Sequence, residues 1–179
     1  MIEKRNLLRM LDRFGALTTL LLPLFLVHLR GIAEGCLDGL AIGFLLRSVL
    51  IRDWRWCRQG FVWPALVWWG WLVLCSLPRH LPVPAEASAS QIQALLAIRF
   101  PIAAFALAFW TLQDQWTRKW CRRLMMFFVL YLGAQMLLQA VPGHNLFGNP
   151  RFGAGTLTGP YDQPRVSSPF ALLGLPCAL

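Results

Sequence analysis

Five apolar runs restrict what this chain can fold into. Phe14–His28, Gly31–Leu50, Phe61–Leu77, Gln91–Leu112 and Leu124–Val141 each approach the roughly 20 residues an α-helix needs to cross a bilayer. Lipid offers the backbone no water to bond, so each segment must satisfy its own N–H and C=O groups, as a helix does. Of the 179 residues, 57% are hydrophobic and only 14% charged, too few charges to coat a water-soluble globule of this length. The fold class expected is all-α: a polytopic transmembrane helix bundle with five full spans and the start of a sixth. The sixth run, Ser168 to Leu179, is too short to cross. A half-crossed helix would leave backbone groups unsatisfied in lipid, so either this tail lies at the interface or re-enters, or residues 1–179, a single transmembrane domain, are the N-terminal part of a longer chain, the reading preferred here. The first run follows four cations but lacks a small-x-small cleavage site, because Arg30 and Glu34 stand where one would fall. It reads as an uncleaved span rather than a signal peptide.

The net charge is +9, which in a soluble protein would raise nucleic-acid binding. Its distribution says otherwise. Twelve of the 17 Lys/Arg residues lie in the N-terminus and in the loops 47–58 and 113–123. Positive residues favour the cytoplasmic side, so the N-terminus is expected there, and loop 142–168 is expected to face outward. Trp54, Trp56, Trp63, Trp110, Trp116 and Trp120 fall near the same cytoplasmic boundary, where indole rings prefer to sit.

Within the runs, Gly31, Gly35, Gly39 and Gly43 recur every fourth residue, a smooth stripe that lets a neighbouring helix approach. Arg30, Glu34 and Asp38 share the same run at i, i+4, i+8, as a polar cavity lining or as a salt-bridge ladder. Arg99 stands in an otherwise apolar stretch, two residues before Pro101. An arginine there is a functional candidate by default; the alternatives are snorkelling to head groups and pairing with Glu34 or Asp38. His28, His80 and His144 read as ordinary interfacial polar residues. The five cysteines form no C-x-x-C or Cys/His cluster, and the chain has no glycine-rich nucleotide loop, so no metal site and no cofactor is expected.

The polar segment after Val141 differs from everything before it. Five glycines between Gly143 and Gly159 and five prolines between Pro142 and Pro169 specify turns rather than helix or strand. It carries Arg151 and Arg165. A turn-rich cationic loop at a membrane surface can hold an anionic head group, and it can equally be a plain connector.

Leu138-Gln139, His144-Asn145-Leu146-Phe147-Gly148, Pro150-Arg151-Phe152-Gly153, Leu157-Thr158-Gly159-Pro160-Tyr161 and Pro164-Arg165 together resemble the central outer loop of the O-antigen ligase/O-antigen polymerase family. The preceding runs, with Arg99-Phe100-Pro101, are similar to that family's first half. The resemblance implies a C-type glycosyltransferase fold in a bacterial inner membrane, serving polysaccharide and lipopolysaccharide synthesis. It implies transfer of a glycan from an undecaprenyl-diphosphate carrier to a lipid A–core or glycan acceptor, without nucleotide sugar or metal. Arg99, Arg151, Arg165 and Tyr161 would contact the carrier diphosphate, arginine's planar fork matching phosphate oxygens. Thr156 stands where an arginine often precedes the Leu-Thr-Gly triplet, which removes one expected cation. The family's second half would hold the catalytic base, so no catalytic residue is assigned. A non-catalytic truncated membrane protein and a polyprenyl-linked lipid transporter are the alternatives. Membrane lipids are the expected surroundings, with no nucleic-acid partner.

Overall fold

The computed structural model describes residues 2–77, 84–153, 155–161, 166, 168, 169 and 173, with backbone alone for residues 2, 3, 30 and 84–88. Every regular element among them is helical: α1 (Ile2–His28), α2 (Arg30–Ile51), α3 (Val62–Cys75), α4 (Pro84–Leu96), α5 (Arg99–Phe109) and α6 (Gln115–Ala140). Short 3-10 turns cover Arg55–Arg58 and Thr111–Gln113.

Three helical segments are long and apolar enough to cross a membrane: Lys4–His28, Ala89–Gln113 and Gln115–Ala140. The other two expected spans fall short for different reasons. Arg30, Glu34, Asp38 and Arg47 give α2 too many charges. With 14 residues, α3 spans only about 21 Å at 1.5 Å per residue.

Several boundaries differ from the sequence expectation. The basic segment after Gln113 is no loop: α6 begins at Gln115 and runs through all four cations. No Gly or Pro interrupts residues 115–132, and Arg and Lys are good helix formers, so nothing local stops the helix. The expected loop Arg79–Ser90 gives way to α4 at Pro84, proline being well suited to a first helical position. The fourth run is two helices, not one. Pro101 has no N–H to give the Ala97 carbonyl, which instead accepts from Phe100 N at 3.1 Å. The break loosens the end of α4, where Ala97 N divides its bond between the Gln93 and Ala94 carbonyls, at 3.0 and 3.3 Å, and Ile98 N reaches back only to the Leu95 carbonyl, at 3.4 Å. The Trp69 indole N–H donates to the Ala94 and Leu95 carbonyls at 3.1 and 3.3 Å.

The chain parts into two compact units, Met1–Thr18 with Glu34–Asp114, and Thr19–Ala33 with Gln115–Leu179. In the first unit α1 and α2 lie antiparallel, with Asp12 against Arg47 at 3.1 Å and Phe14 against Gly39. Its core joins Leu40 and Phe44 of α2, Val62 of α3, and Phe105, Ala106 and Trp110. Trp110 is thus 7% exposed, packed in the core rather than free at the surface. Its indole N–H donates to Asp12 Oδ1 at 2.7 Å, which lets a polar edge enter an apolar core. Gly15 and Gly43 make the room: a Cβ at Gly15 would stand 2.7 Å from the Trp110 ring, and one at Gly43 3.2 Å. Trp56 likewise packs against Phe44 and Phe105, at centroid distances of 5.2 and 5.6 Å. The second unit's core is Val27 of α1, Phe128 and Leu132 of α6, Val166 and Leu173.

Candidate functional site

The two features singled out from sequence fall in different units. In the first unit, Glu34 and Asp38 are one helical turn apart on α2, and Arg99 is the first residue of α5. A cation at a helix N-terminus faces the positive end of the macrodipole, so it gains from nearby carboxylates. Arg99 Nη1 donates to Asp38 Oδ2 at 3.2 Å and Nη2 to Glu34 Oε2 at 3.3 Å. The guanidinium also lies 5.0 Å from the Phe100 ring centroid. Its Nε is buried and finds no partner among the described residues. Of the sequence alternatives for Arg99, this geometry is the ion-paired one. Two of its five N–H donors go to these carboxylates, whose negative charge also repels a phosphate approaching Arg99.

The glycine stripe of α2 is used over its second half. Gly39 and Gly43 receive Phe14 and Trp110, whereas a Cβ at Gly31 or Gly35 would meet no described atom within 4 Å. Gly15, outside the stripe, is a tighter contact than any glycine in it.

In the second unit the chain leaves α6 and folds its next twenty residues back onto that helix. All five glycines from Gly143 to Gly159 take positive φ. At Gly159 (φ 62°) a Cβ would also meet Val166 Cγ2 at 2.7 Å, so both backbone and packing require glycine. Phe152 and Thr156 exchange both backbone hydrogen bonds at 3.0 Å, closing a minimal hairpin.

Three amide side chains fasten this loop. Gln139, fully buried on α6, uses its whole hydrogen-bonding capacity. Nε2 donates to the Pro150 carbonyl (3.0 Å) and Thr158 Oγ1 (2.9 Å); Oε1 accepts from Thr158 N (2.7 Å) and Gly159 N (3.1 Å). One turn earlier, Gln135 Oε1 accepts from Leu146 N at 3.0 Å, and its Nε2 donates to the Tyr131 hydroxyl at 3.3 Å. Asn145 Oδ1 accepts from Phe147 N and Asn149 N, both 2.9 Å, and Nδ2 donates to the Gly159 carbonyl at 2.6 Å. Buried amides bonded on both ends specify one loop conformation, because any alternative strands polar groups.

Arg151 lies on this loop and is exposed. Its Nε donates to the Gln139 carbonyl at 2.9 Å and Nη2 to the Ala140 carbonyl at 2.5 Å. These are last-turn carbonyls of α6, so the guanidinium caps the helix at its negative end. Val141, Leu146, Phe147 and Phe152 are exposed apolar side chains around it in sequence, at 83, 71, 59 and 49%. Arg165 lies outside the described residues. His144 bridges to Pro150 through the backbone, and His28 packs on Tyr131 with centroids 5.7 Å apart.

Tyr161 packs against the second core, and its hydroxyl oxygen is buried without a partner among the described residues. Burial pushes its phenol above the ordinary value of 10.0, and the nearby Tyr131 adds to the shift. A raised folded-state value means that the unfolded chain loses its proton first. Stability is therefore intact below about 10 and falls as pH rises from there through the folded-state value. The near-ultraviolet phenolate absorbance lost in Tyr161→Phe should rise only above about pH 10. The same substitution removes an unsatisfied hydroxyl and should leave thermal stability unchanged or raise it by about 1 kcal/mol. A phenolate step at or below the ordinary value would contradict the burial.

Sequence alone assigns no role to Gln135, Gln139, Asn145, Asp12 or Gly15, although Gln139 and Asn145 stand in the family-like stretches. The signal for the first two was available: two amides one turn apart in a run without a charge. No protein-family model, curated protein or solved structure matches this chain.

Proposed function

We propose that this chain is an O-antigen-ligase-like membrane protein that handles a polyprenyl-diphosphate-linked glycan at the outer face of the bacterial inner membrane. In this reading α2 and α3 cross the bilayer with the three longer segments, and the N-terminus is cytoplasmic. The glycan passes to a lipid A–core or glycan acceptor. One observation carries the reading: the loop that holds the family-like residues is a built platform. Gln139 and Asn145 spend their amides on the Leu-Thr-Gly segment, and Gln139 also bonds the Pro150 carbonyl beside Arg151. A plain connector needs no such investment of buried polar groups. The exposed Val141, Leu146, Phe147 and Phe152 suit an isoprenoid chain, and Arg151 beside them suits its diphosphate. Arg151 is therefore the leading carrier contact, with Arg165 next. Neutralising the departing diphosphate would ease glycan release.

The test uses the protein in lipid vesicles with a photoreactive polyprenyl diphosphate. Crosslinks should concentrate in 142–161, compete with unlabelled carrier, and fall about ten-fold in Arg151→Gln, the loss of one charge-assisted contact. Amide exchange at Thr158 and Gly159 checks that the loop is still folded. Labelling no stronger than that of a polyprenol lacking phosphate would end the carrier reading.

A further inference from the structure

We propose that the first turns of α6, Gln115–Arg123, form a binding face for anionic phospholipid head groups. This lies outside the carrier reading and does not depend on it. Helical geometry makes the face. Thr117 and Cys121, four residues apart, are buried at 1 and 4% exposure. They turn the rest of the segment outward: Arg118, Lys119, Arg122 and Arg123 are all exposed. So are Trp116 and Trp120, at 59 and 41%. These two indoles lie one turn apart with centroids 6.2 Å apart, and Arg123 sits 5.2 Å from the Trp120 ring centroid. Trp116, Trp120 and Arg123 therefore share one stripe, at i, i+4 and i+7.

The remainder of the helix sets the depth of that face. Leu124 to Ala140 contains no charged residue, and Met126, Phe127, Leu130, Leu137 and Leu138 are exposed. At 1.5 Å per residue this apolar stretch is about 25 Å long, close to the thickness of a bilayer's hydrocarbon. With that stretch in hydrocarbon, the indoles fall at the head-group layer, where tryptophan prefers to be. The cations then lie among lipid phosphates. Charge decides which lipid. Gln115–Arg123 has four cations and no acidic residue, so it complements a net-negative head group and gains little from a zwitterionic one. The stacked Arg123 is already held at the layer, which leaves less side-chain freedom to lose on binding.

The test uses the full chain in nanodiscs of zwitterionic phosphatidylcholine, doped with either brominated phosphatidylglycerol or brominated phosphatidylcholine at equal mole fraction. Bromine quenches nearby indoles, and the signal of this face is the difference between the protein and Trp116→Phe/Trp120→Phe. Brominated phosphatidylglycerol should quench that signal about two-fold more, by electrostatic enrichment. In Arg118→Gln/Lys119→Gln/Arg122→Gln/Arg123→Gln the preference should vanish while quenching by brominated phosphatidylcholine persists, which shows the helix still in lipid. Equal quenching in the unsubstituted protein overturns the proposal without reference to any variant. A preference that survives the four substitutions overturns its assignment to this face. One abolished by added inorganic phosphate places a free anion there instead and overturns the lipid assignment.

Discussion

Replacing Gln139 by leucine should release the loop 142–161 from α6 and cost the protein about 3–5 kcal/mol, since each buried polar group left without a partner costs roughly 1–3 kcal/mol. The leucine fills much of the same space, so the effect isolates the amide. Thr158 N, Gly159 N and the Pro150 carbonyl all lose their bonds to it. The α6 backbone needs nothing from this side chain, and leucine is a good helix former, so the helix persists. Hydrogen exchange in detergent should show protection lost at Thr158 and Gly159 but kept across residues 124–136, with a matching fall in melting temperature. Gln135→Leu removes one acceptor, that of Leu146 N, and should cost only about 1–2 kcal/mol. Unchanged protection at Thr158 in the Gln139 variant would mean that the amide does not hold the loop.

The second large effect belongs to Arg99. Arg99→Met keeps an unbranched apolar stem and leaves Glu34 and Asp38 without their shared cation. Breaking a fully buried pair costs about 3–5 kcal/mol. Here the side chains retain 28, 45 and 39% of their exposure, and solvent screening lowers the expectation to about 1–3 kcal/mol. The diagnostic is non-additivity. The triple substitution Arg99→Met/Glu34→Gln/Asp38→Asn removes the uncompensated charges along with the cation, and should be more stable than Arg99→Met alone. Arg99→Lys should fall between, because a compact ammonium on a shorter side chain cannot reach two separate carboxylates as the spread Nη groups do. Thermal unfolding of the four proteins in one detergent decides it. A triple variant no more stable than the single one would mean that the ion pairs are not what Arg99 contributes.

The parts of this structure that are legible in sequence are those set by local chemistry. Glycine is the residue that takes positive φ without cost, so a run of five glycines announces a turn-built loop, and all five sit at positive φ. The i, i+4 spacing of Glu34 and Asp38 puts them on one face, and pairing with Arg99 is among the readings that spacing allows. Charge is a poor proxy for loop. Arg118 to Arg123 are cationic yet contain no helix breaker, and α6 runs through them. Residue type does not show that Trp110 enters the core, where Gly15 and Gly43 leave it a cavity and Asp12 accepts from its N–H. Gln139 stands out in sequence as an amide in an uncharged run, but its role does not, because its partners, 11 to 20 residues away, reach it only once the loop has folded.

That separation has a consequence for how the protein is made. Every loop group that bonds Gln139 is synthesised within 20 residues after it, so the loop can close as soon as it leaves the ribosome and translocon. The bonds of Arg99 span 61 and 65 residues. At about 5–20 residues per second, Asp38 and Glu34 wait for Arg99 for roughly 3–13 seconds of translation. During that interval α2 carries two carboxylates whose permanent counter-ion does not yet exist. Until then water must solvate them, so the ion pairs between α2 and α5 close only after the whole of α3 and α4 has been made.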